Sequence, residues 1–383
     1  MASSSTRLLT ACAIAGLLPF VATADDGGSR WIDVEFSRDS PVLPVSFSLG
    51  PGSTAGVRGT SMAFELHASL LLRNTGTKPL SGLTLRVEAK DLTPSGKGSV
   101  SIPSLQIAPG EVFPVRIDME LLRPFTVMKS DGAVFQLSLD CALFADMTSY
   151  GPDKLGSKRA LMVYELEARR DRQYLAELLR SGRIPQLREE LNFGLQDVTP
   201  QQLGLELLRD PLSDTRREQA LNVQAVSFAS APVQPLGGAA RVVGNQVRSP
   251  QIEVRNTSQK AVRSIAMGWI VRDERGRDFL AGSVPAPIQL APVQTGTMTE
   301  SGTLRFSHPL GQPMSIEGLT AFINDVEFAD GKLWIPSRAD IQAATPDPVL
   351  RRALVTSPEQ QRLAEIYRRK GVAGLAEALR ATN

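Results

Sequence analysis

One segment of the chain occurs twice, at residues 173–191 and 361–379. The copies read QYLAELLRSGRIPQLREEL and QRLAEIYRRKGVAGLAEAL, and they align without a gap at an offset of 361 − 173 = 188. Eight of the 19 aligned pairs are identical, whereas unrelated segments would match at roughly one or two positions. The first copy contributes Gln173, Leu175, Ala176, Glu177, Arg180, Leu187, Glu189 and Leu191 to these pairs. Such a repeat predicts two equivalent units within one chain.

Three short landmarks precede each copy of the repeat in the same order. The spacing from the Asn of the first landmark to the Asp of the last is nearly equal in the two units, 146 − 74 = 72 and 330 − 256 = 74. The matched landmarks are Arg73-Asn74-Thr75 with Arg255-Asn256-Thr257, Ala108-Pro109 with Ala291-Pro292, and Phe144-Ala145-Asp146 with Phe328-Ala329-Asp330. We therefore expect the units to superpose, with Asn74 on Asn256 and Asp146 on Asp330.

The residues before each helical repeat alternate apolar and polar side chains at a period of two. Residues 31–36, 45–49 and 83–87 show this period, which is typical of half-buried strands. Asn, Gly and Pro separate the runs, as in residues 73–79, and indicate turns. The pattern predicts a mainly β fold with two antiparallel Ig-like β-sandwiches, each followed by a short helical segment.

Helix start and stop signals divide the helical segments. The first segment starts near Ser157, stops at Ser181-Gly182 and restarts at Pro185, and Thr199-Pro200 indicates a further helix over 201–209. In the second segment Ser357-Pro358-Glu359 starts a helix that Gly371 interrupts. The expected division is a signal peptide at 1–24, a sandwich at 25–156, a helical segment at 157–217, a second sandwich at 218–345 and a helical segment at 346–383.

The segment 1–24 has the three parts of a secretory signal peptide. Arg7 precedes an apolar run at 8–21, and Ala22-Thr23-Ala24 supplies the small residues that signal peptidase accepts. The run is shorter than the about 20 residues of a permanent membrane helix, so the sequence predicts cleavage after Ala24 and export to the periplasm or cell surface. A lipid anchor at Cys12 is the alternative, but the apolar run follows this cysteine instead of preceding it.

Composition and isolated reactive residues give little support to an enzyme or a nucleic-acid binder. The formal net charge is +2, without a basic run, which argues against nucleic-acid binding. Cys141 is the only cysteine after cleavage, and we interpret it as a buried small hydrophobic residue. His67 and His308 lack close metal-ligand neighbours in the sequence. No catalytic, cofactor-binding or metal-binding residue is predicted.

One acidic group leaves a calcium alternative open. Its members are Asn324, Asp325, Glu327 and Asp330 before Gly331, but their spacing differs from that of an EF-hand loop. The simpler interpretation is that Asp330-Gly331 forms the turn into the run 332–335.

The turn motifs of both units resemble the exported bacterial immunoglobulin-like modules of the FxLYD and CARDB kind. The second unit has Asn256-Thr257-Ser258, Lys260, an apolar strand at 265–271, a D-x-x-G hairpin at 273–276 and Ala291-Pro292. The first has Asn74-Thr75-Gly76, Lys78 and Ala108-Pro109-Gly110. Val293 replaces the glycine in the second unit, and the aromatic signature of the FxLYD type is absent. The resemblance implies binding or spacer roles in exported proteins, with no catalytic residues.

These observations favour an exported, non-enzymatic protein that binds or spaces other proteins in the bacterial cell envelope, with an unknown protein partner. A carbohydrate- or peptide-binding accessory module is an alternative that would need an exposed aromatic platform, for which Trp31, Trp269 and Trp334 are few. A hydrolase using carboxylates from distant strands is the third hypothesis. We expect Leu175 and Leu363 each to be buried by its own sandwich, and an apolar stripe facing a partner is the alternative.

Overall fold

The computed structural model describes residues 32–89, 97–124, 135–195, 202–208, 217–300, 302–308, 311, 314–345, 351 and 354–380. The predicted signal peptide, Trp31 and Thr199-Pro200 lie outside these ranges. The described residues fall into two compact units. One contains the residues up to Thr77 with Leu85–Val100 and Ile107–Leu139, and the other contains Lys78–Thr84, Ser101–Gln106 and the residues from Asp140 onward.

The described strands of the first sandwich form two antiparallel sheets with one parallel pair. The strands are β1 (Ile32–Val34), β2 (Val42–Leu49), β3 (Thr54–Arg58), β4 (Ser61–Asn74), β5 (Leu80–Ala89), β6 (Lys97–Ile102), β7 (Val112–Pro124), β8 (Phe135–Phe144) and β9 (Ser149–Tyr150). One sheet has the order β1-β8-β5-β6, with β9 on β8. In the other, β4 pairs with β2, β3 and β7. The parallel pair is β1 with β8.

The predicted period of two explains how β4 contributes to the first core. Its alternate residues from Phe64 to Leu72 are buried, while those between them are mostly exposed. Phe64 meets Phe135 of the opposite sheet edge-to-face, with ring centroids 5.0 Å apart. Because adjacent side chains of a strand point to opposite faces, this alternation directs one face of β4 to the core.

The second sandwich is one continuous sheet in the described residues. Its strands are β10 (Gln202–Leu208), β11 (Gln219–Val226), β12 (Val233–Val243), β13 (Gln246–Asn256), β14 (Val262–Asp273), β15 (Asp278–Leu290), β16 (Thr295–Thr299), β17 (Thr303–Ser307), β18 (Ile316–Phe328) and β19 (Leu333–Trp334). The order is β11-β12-β13-β17-β10-β15-β14-β18-β19, and β11 also pairs with β18, so the path closes on itself.

The two sandwiches have equivalent strand pairings. The sheet β1-β8-β5-β6 corresponds to β11-β18-β14-β15, and β2-β4-β7 corresponds to β12-β13-β16. Even the parallel pair recurs, because β11 runs parallel to β18 as β1 does to β8. The mainly β fold class and its internal duplication, predicted from the sequence, are therefore confirmed.

The prediction of a helix over 201–209 is wrong, because residues 202–208 form strand β10. This strand pairs in parallel with β15 and antiparallel with β17, and it joins the two layers of the second sandwich. Leu203 is buried in the sandwich core and Leu205 packs against it. Leu203, Leu205 and Leu207 occupy every second position, which fits a strand. The start signal at Thr199-Pro200 predicted a helix because so short an alternation is ambiguous.

The helices among the described residues are α1 (Ser157–Arg180), α2 (Ile184–Gly194), α3 (Arg338–Ala344) and α4 (Pro358–Arg380). Their bounds confirm the predicted starts at Ser157 and Pro358. Ser357 Oγ accepts a hydrogen bond from the backbone N–H of Gln360 at 3.1 Å, which satisfies one free donor of the first turn. Gly371 has φ 67° and interrupts α4, as predicted. None of these helices is long and apolar enough to span a membrane.

The two copies of the helical repeat pack against each other. Their buried residues form one core cluster: Leu175, Leu178, Leu187 and Leu191 of the first copy, and Leu363, Ala364, Leu375 and Leu379 of the second. The expectation that Leu175 and Leu363 are each buried by a separate sandwich is therefore wrong. The matched apolar stripes are complementary to each other, which periodicity within one copy does not reveal.

Candidate functional site

A cleft of about 670 Å³ lies between α1 and the second sandwich. One face of α1 forms the first wall, with Arg159, Ala160, Val163, Tyr164 and Glu167 at helical spacings of three and four residues. These residues precede Leu175 and Leu178, with which α1 packs in the helical core. The cleft therefore uses the N-terminal half of a helix whose C-terminal half is fixed by packing.

The opposite wall combines apolar and polar side chains of the second sandwich. Leu280 to Ser283 of β15 and Phe322, Asn324 and Asp325 of β18 line it, and Leu203 of β10 closes one side. Gly282 is exposed, and a Cβ added there meets no atom within 4 Å. The cleft is thus lined by polar and apolar side chains in similar proportion, and it has an open position at Gly282.

Arg159 holds α1 against β18 at one end of the cleft. Its Nε donates to Asp325 Oδ1 at 3.0 Å, and its Nη1 donates to Glu327 Oε2 at 3.2 Å and also to the Ser264 hydroxyl. The Arg159 side chain is 17% exposed and that of Asp325 is 4% exposed. Charge-assisted hydrogen bonds of this kind fix geometry, so the two walls are positioned before any ligand binds.

Glu167 is the carboxylate of this cleft without a protein partner among the described residues. It is half-buried, and it makes no hydrogen bond or ion pair with any described residue. Desolvation raises its pKa from the usual range to about 7, with smaller contributions from Asp171 and Asp325, while Arg170 and Arg338 act in the opposite direction. Glu167 therefore changes charge near neutral pH.

Tyr164 lies one turn before Glu167 on the same wall. It is 37% exposed, and desolvation together with the charge of Glu167 raises its pKa, so the phenol stays protonated at neutral pH. A protonated phenol offers both a hydrogen-bond donor and an aromatic face to a ligand.

A buried ion network beside the cleft connects the helices. Asp171 is fully buried; it accepts hydrogen bonds from Arg338 Nε at 2.8 Å and Arg170 Nε at 3.0 Å, and another from the Ser357 hydroxyl. Arg338 also binds Glu190 at 3.3 Å. The charges next to Glu167 are therefore already engaged within the protein.

The repeat-related residue Glu359 is buried in the same way. It occupies the position that aligns with Asp171 when the repeat alignment is extended toward the N-terminus. Its carboxylate is fully buried and binds Arg172 at 3.3 Å and Arg362 at 2.8 Å. Each copy of the repeat thus accepts hydrogen bonds from the other, because Ser357 donates to Asp171 and Arg172 donates to Glu359.

The two histidines have separate surroundings. His67 lies on the exposed side of β4, where its Nδ1 is 2.8 Å from Asp118 Oδ1. His308 stacks edge-to-face on Phe279, with centroids 5.7 Å apart. Among the described residues, no group of three or more His, Cys, Asp or Glu side chains is arranged to hold a metal ion.

The acidic residues considered for calcium are engaged in ion pairs. Asp325 binds Arg159, Glu327 binds Arg159 and Arg263, and Asp330 binds Lys260 at 2.9 Å. Their charges are therefore compensated by the protein.

Cys141, Trp269 and Trp334 lie in or against the cores. Cys141 is buried, as predicted, and desolvation with the charges of Asp153 and Asp140 raises its pKa to about 12, which keeps the thiol protonated. Trp269 is 1% exposed, and Trp334 packs partly buried against the second core. Neither of these two forms an exposed platform, and Trp31 lies outside the described residues.

The sequence analysis missed the residues that line the cleft, chiefly Arg159, Tyr164 and Glu167. The one signal is that Glu167 follows Tyr164 by three residues, so the helical period from Ser157 onward places an acidic side chain on the same face as an aromatic one. The opposite wall comes from Leu203 and residues still later in the chain, so spacing alone does not connect them.

Comparisons with known proteins assign no family. No family model matches the chain, and no curated protein matches it. Two solved structures of a β-glucosidase from Kluyveromyces marxianus were found. The selenomethionine form has a TM-score of 0.16 and 10% identity over 73% of this chain and 46% of that chain. The complex with glucose has a TM-score of 0.15 and 9% identity over 72% of this chain and 45% of that chain. The chain spans less than half the length of these structures, and similarity this low carries no argument about function.

Proposed function

We propose that the chain is an exported, non-enzymatic binding protein of the bacterial cell envelope. The observation that carries the proposal is the cleft between α1 and the second sandwich. Its volume of about 670 Å³ lies within the ~300–1,000 Å³ range of ligand pockets. Its walls are held in place by Arg159 on one side and by the helical core on the other.

The resemblance to exported FxLYD and CARDB modules supports the same proposal. The turn motifs that carry it adopt equivalent structures in both sandwiches: Gly76 N donates to Asn74 Oδ1 at 3.1 Å, and Ser258 N donates to Asn256 Oδ1 at 3.0 Å. Proteins of this kind use sandwiches as scaffolds for binding. The protein partner inferred from the sequence would then bind through the cleft.

A cleft-blocking variant tests the binding function. Gly282→Trp places an indole in the open cleft without a backbone clash. The matched control is Gly56→Trp on the exposed strand β3, where an added Cβ also meets no atom within 4 Å. In affinity capture from envelope extract, we expect wild type and Gly56→Trp to retain the same specific partner and Gly282→Trp to lose it. Capture that Gly282→Trp leaves unchanged would contradict the proposal.

Export has its own test. The proposed signal peptide predicts that exported protein starts at Asp25 and carries no lipid. N-terminal sequencing and mass spectrometry measure both properties. An intact Met1, or a lipid-modified start at Cys12, would refute this part of the proposal.

A carboxylate-dependent hydrolase is the second candidate, and Glu167 favours it. A carboxyl group with a pKa of about 7 can donate a proton at neutral pH, and Asp325 supplies a second carboxylate in the same cleft. Incubation of the protein with glycoside and ester substrates, with Glu167→Gln as the comparison, separates this candidate from binding alone. Turnover by wild type that the Gln variant lacks would favour the hydrolase.

A further inference from the structure

We propose that the cleft binds the cationic end of a lysine or arginine side chain of a partner protein, with Glu167 as the counter-ion. The inference rests on the proposed binding function and adds the chemistry of the ligand. Two observations support it. Most charged groups of the cleft are already paired within the protein, and the walls combine an apolar surface with one carboxylate that is unpaired among the described residues.

Arg159 and the carboxylates beside it compensate each other's charge at one end of the cleft. Arg159 is bound to Asp325 and Glu327, and Glu327 is also bound to Arg263. An anionic ligand would have to compete with two carboxylates for the Arg159 guanidinium. The wall therefore offers no uncommitted cation among the described residues that line it.

The other charged groups around Glu167 also form ion pairs within the protein. Arg170 on α1 and Arg338 on α3 are both bound to the fully buried Asp171, and Arg338 also binds Glu190. Asp325 faces Glu167 from β18 and is occupied by Arg159. Glu167 is left as the surplus negative charge, since it has no partner among the described residues. A ligand cation would supply the missing counter-charge.

The apolar part of the cleft fits the stem of the same side chain. Val163, Leu203, Leu280 and Phe322 line it, and the aliphatic stems of lysine and arginine pack on such surfaces while the charged end reaches a polar partner. Tyr164 adds an aromatic face beside the carboxylate, and a cation near such a face gains further stabilisation. A small inorganic cation would leave these walls without contacts.

The ionisation of Glu167 makes the proposed binding depend on pH in a defined direction. Only the ionised carboxylate pairs with the ligand cation. With a pKa of about 7 in the free protein, roughly one tenth of the sites are ionised at pH 6 and nine tenths at pH 8. Lysine stays charged over this range because its pKa is about 10.4. Affinity should therefore rise about tenfold from pH 6 to pH 8, with release of a proton on binding.

Two capped tripeptides provide a matched pair of probes. Acetyl-Gly-Lys-Gly-amide carries the ammonium, and acetyl-Gly-norleucine-Gly-amide keeps the aliphatic stem without it. Calorimetric titration, or NMR shifts where binding is weak, gives both affinities at pH 6 and pH 8. We expect the lysine peptide to bind about tenfold or more tightly than the norleucine peptide at pH 8, and this ratio to fall about tenfold at pH 6.

The variants assign the effect to the cleft and to Glu167 separately. Glu167→Gln is nearly isosteric and should bring the two peptides to equal affinity at both pH values. Gly282→Trp should remove binding of both, and Gly56→Trp should leave it unchanged. Cadaverine is a third probe and should bind more weakly than the lysine peptide, because it lacks the peptide groups beside the ammonium. Binding as tight as that of the peptide would overturn the assignment of the cation to a partner protein.

Equal binding of the lysine and norleucine peptides to wild type would overturn the inference. So would a lysine preference that Glu167→Gln retains, or no binding of the lysine peptide up to about 10 mM. The binding function itself would survive these outcomes if the partner captured from envelope extract is still lost by Gly282→Trp. If that capture is insensitive to Gly282→Trp as well, both proposals fail.

Discussion

The turn at Ala108 and the turn at Ala291 have the same structure with different residues. In the first sandwich, Glu111 N donates to Ala108 O at 3.1 Å, and Ala108 N donates to Glu111 Oε2 at 2.8 Å. In the second, Gln294 N donates to Ala291 O at 3.2 Å, and Ala291 N donates to Gln294 Oε1 at 2.8 Å. A carboxylate and an amide thus fulfil the same role, because only an acceptor oxygen is needed.

The third residue of this turn has the same backbone conformation in both sandwiches although the residue type differs. Gly110 has φ 82° and Val293 has φ 63°. Glycine adopts this left-handed conformation freely, whereas a β-branched residue is strained in it. The strand pairings on both sides determine the backbone, and Val293 accepts the conformation that they require. The fold therefore dictates the turn, and the residue in it is secondary.

The helical copies differ more than the turns. Asp171 and Glu359 have equivalent buried roles, but Glu167 in the cleft aligns with Val355, which is buried in an apolar cluster. One copy therefore has a polar position where the other has an apolar one. Substitutions at Asp171 and Glu359 therefore test the duplication, whereas substitutions at Glu167 test the proposed cleft, which only one copy has in the described part of the chain.

Removal of either buried acid is expected to have the largest effect. Asp171→Ala removes the carboxylate that binds Arg170 and Arg338, and Glu359→Ala removes one of the two carboxylates that bind Arg172. Loss of a partner within a buried ion network costs up to about 3–5 kcal/mol of unfolding free energy. Urea denaturation of each variant measures the loss. Glu177→Ala, which removes an exposed pair with Arg180, is the control and should change stability by less than about 0.5 kcal/mol. Effects as small as the control would show that the network is not structural.

The paired leucines come next. Leu175→Ala and Leu363→Ala each open a cavity in the shared helical core and should cost about 2–5 kcal/mol. Because they share one core, the double variant should depart from additivity by more than about 0.5 kcal/mol. Val372→Ala on the exposed side of α4 is the matched control. Strict additivity, with effects on two separate unfolding transitions, would argue that the copies are independent.

Glu167→Gln is expected to stabilise the protein at pH 8. Its pKa is raised in the folded state to about 7, so unfolding releases a proton between about pH 4.5 and 7, and folded stability falls as pH rises through this window. Removal of the charge should add about 1–3 kcal/mol at pH 8 and little at pH 4. Melting curves across this pH range measure the difference. An equal gain at both pH values would contradict the role assigned to ionisation.

The smallest effect is expected from exchanging glycine and valine at the third position of the two turns. Val293→Gly should stabilise by about 0.5–1 kcal/mol through relief of strain, and Gly110→Val should destabilise by about 1–2 kcal/mol. Val57→Gly makes the same change at an exposed strand position without positive φ, so it should destabilise. If Val293→Gly behaves like Val57→Gly, the turn is not strained.

The sequence was sufficient for the parts of the fold that depend on local chemistry. The turns at Asn74 and Asn256, the break at Gly371 and the Ser357 cap of α4 follow from residues close together in the sequence. The pairing of Leu175 with Leu363 in one core and the strand β10 did not follow, because both depend on partners far along the chain. The cleft was missed for the same reason, since only the tertiary fold brings Glu167 and Gly282 to the walls of one cleft.

The packing of the two helical repeats also delays the completion of folding while the chain is being synthesised. Leu175 and Leu363 share a core although nearly half of the chain lies between them, so the ribosome must add that whole stretch before α1 meets its counterpart. At synthesis rates of about 5–20 residues per second, this takes roughly ten to forty seconds. During that time Leu175 and Leu178 lack the partners that bury them, so a chaperone that binds apolar side chains can hold the chain unfolded. The arrival of the last helix thus ends the vulnerable period of folding.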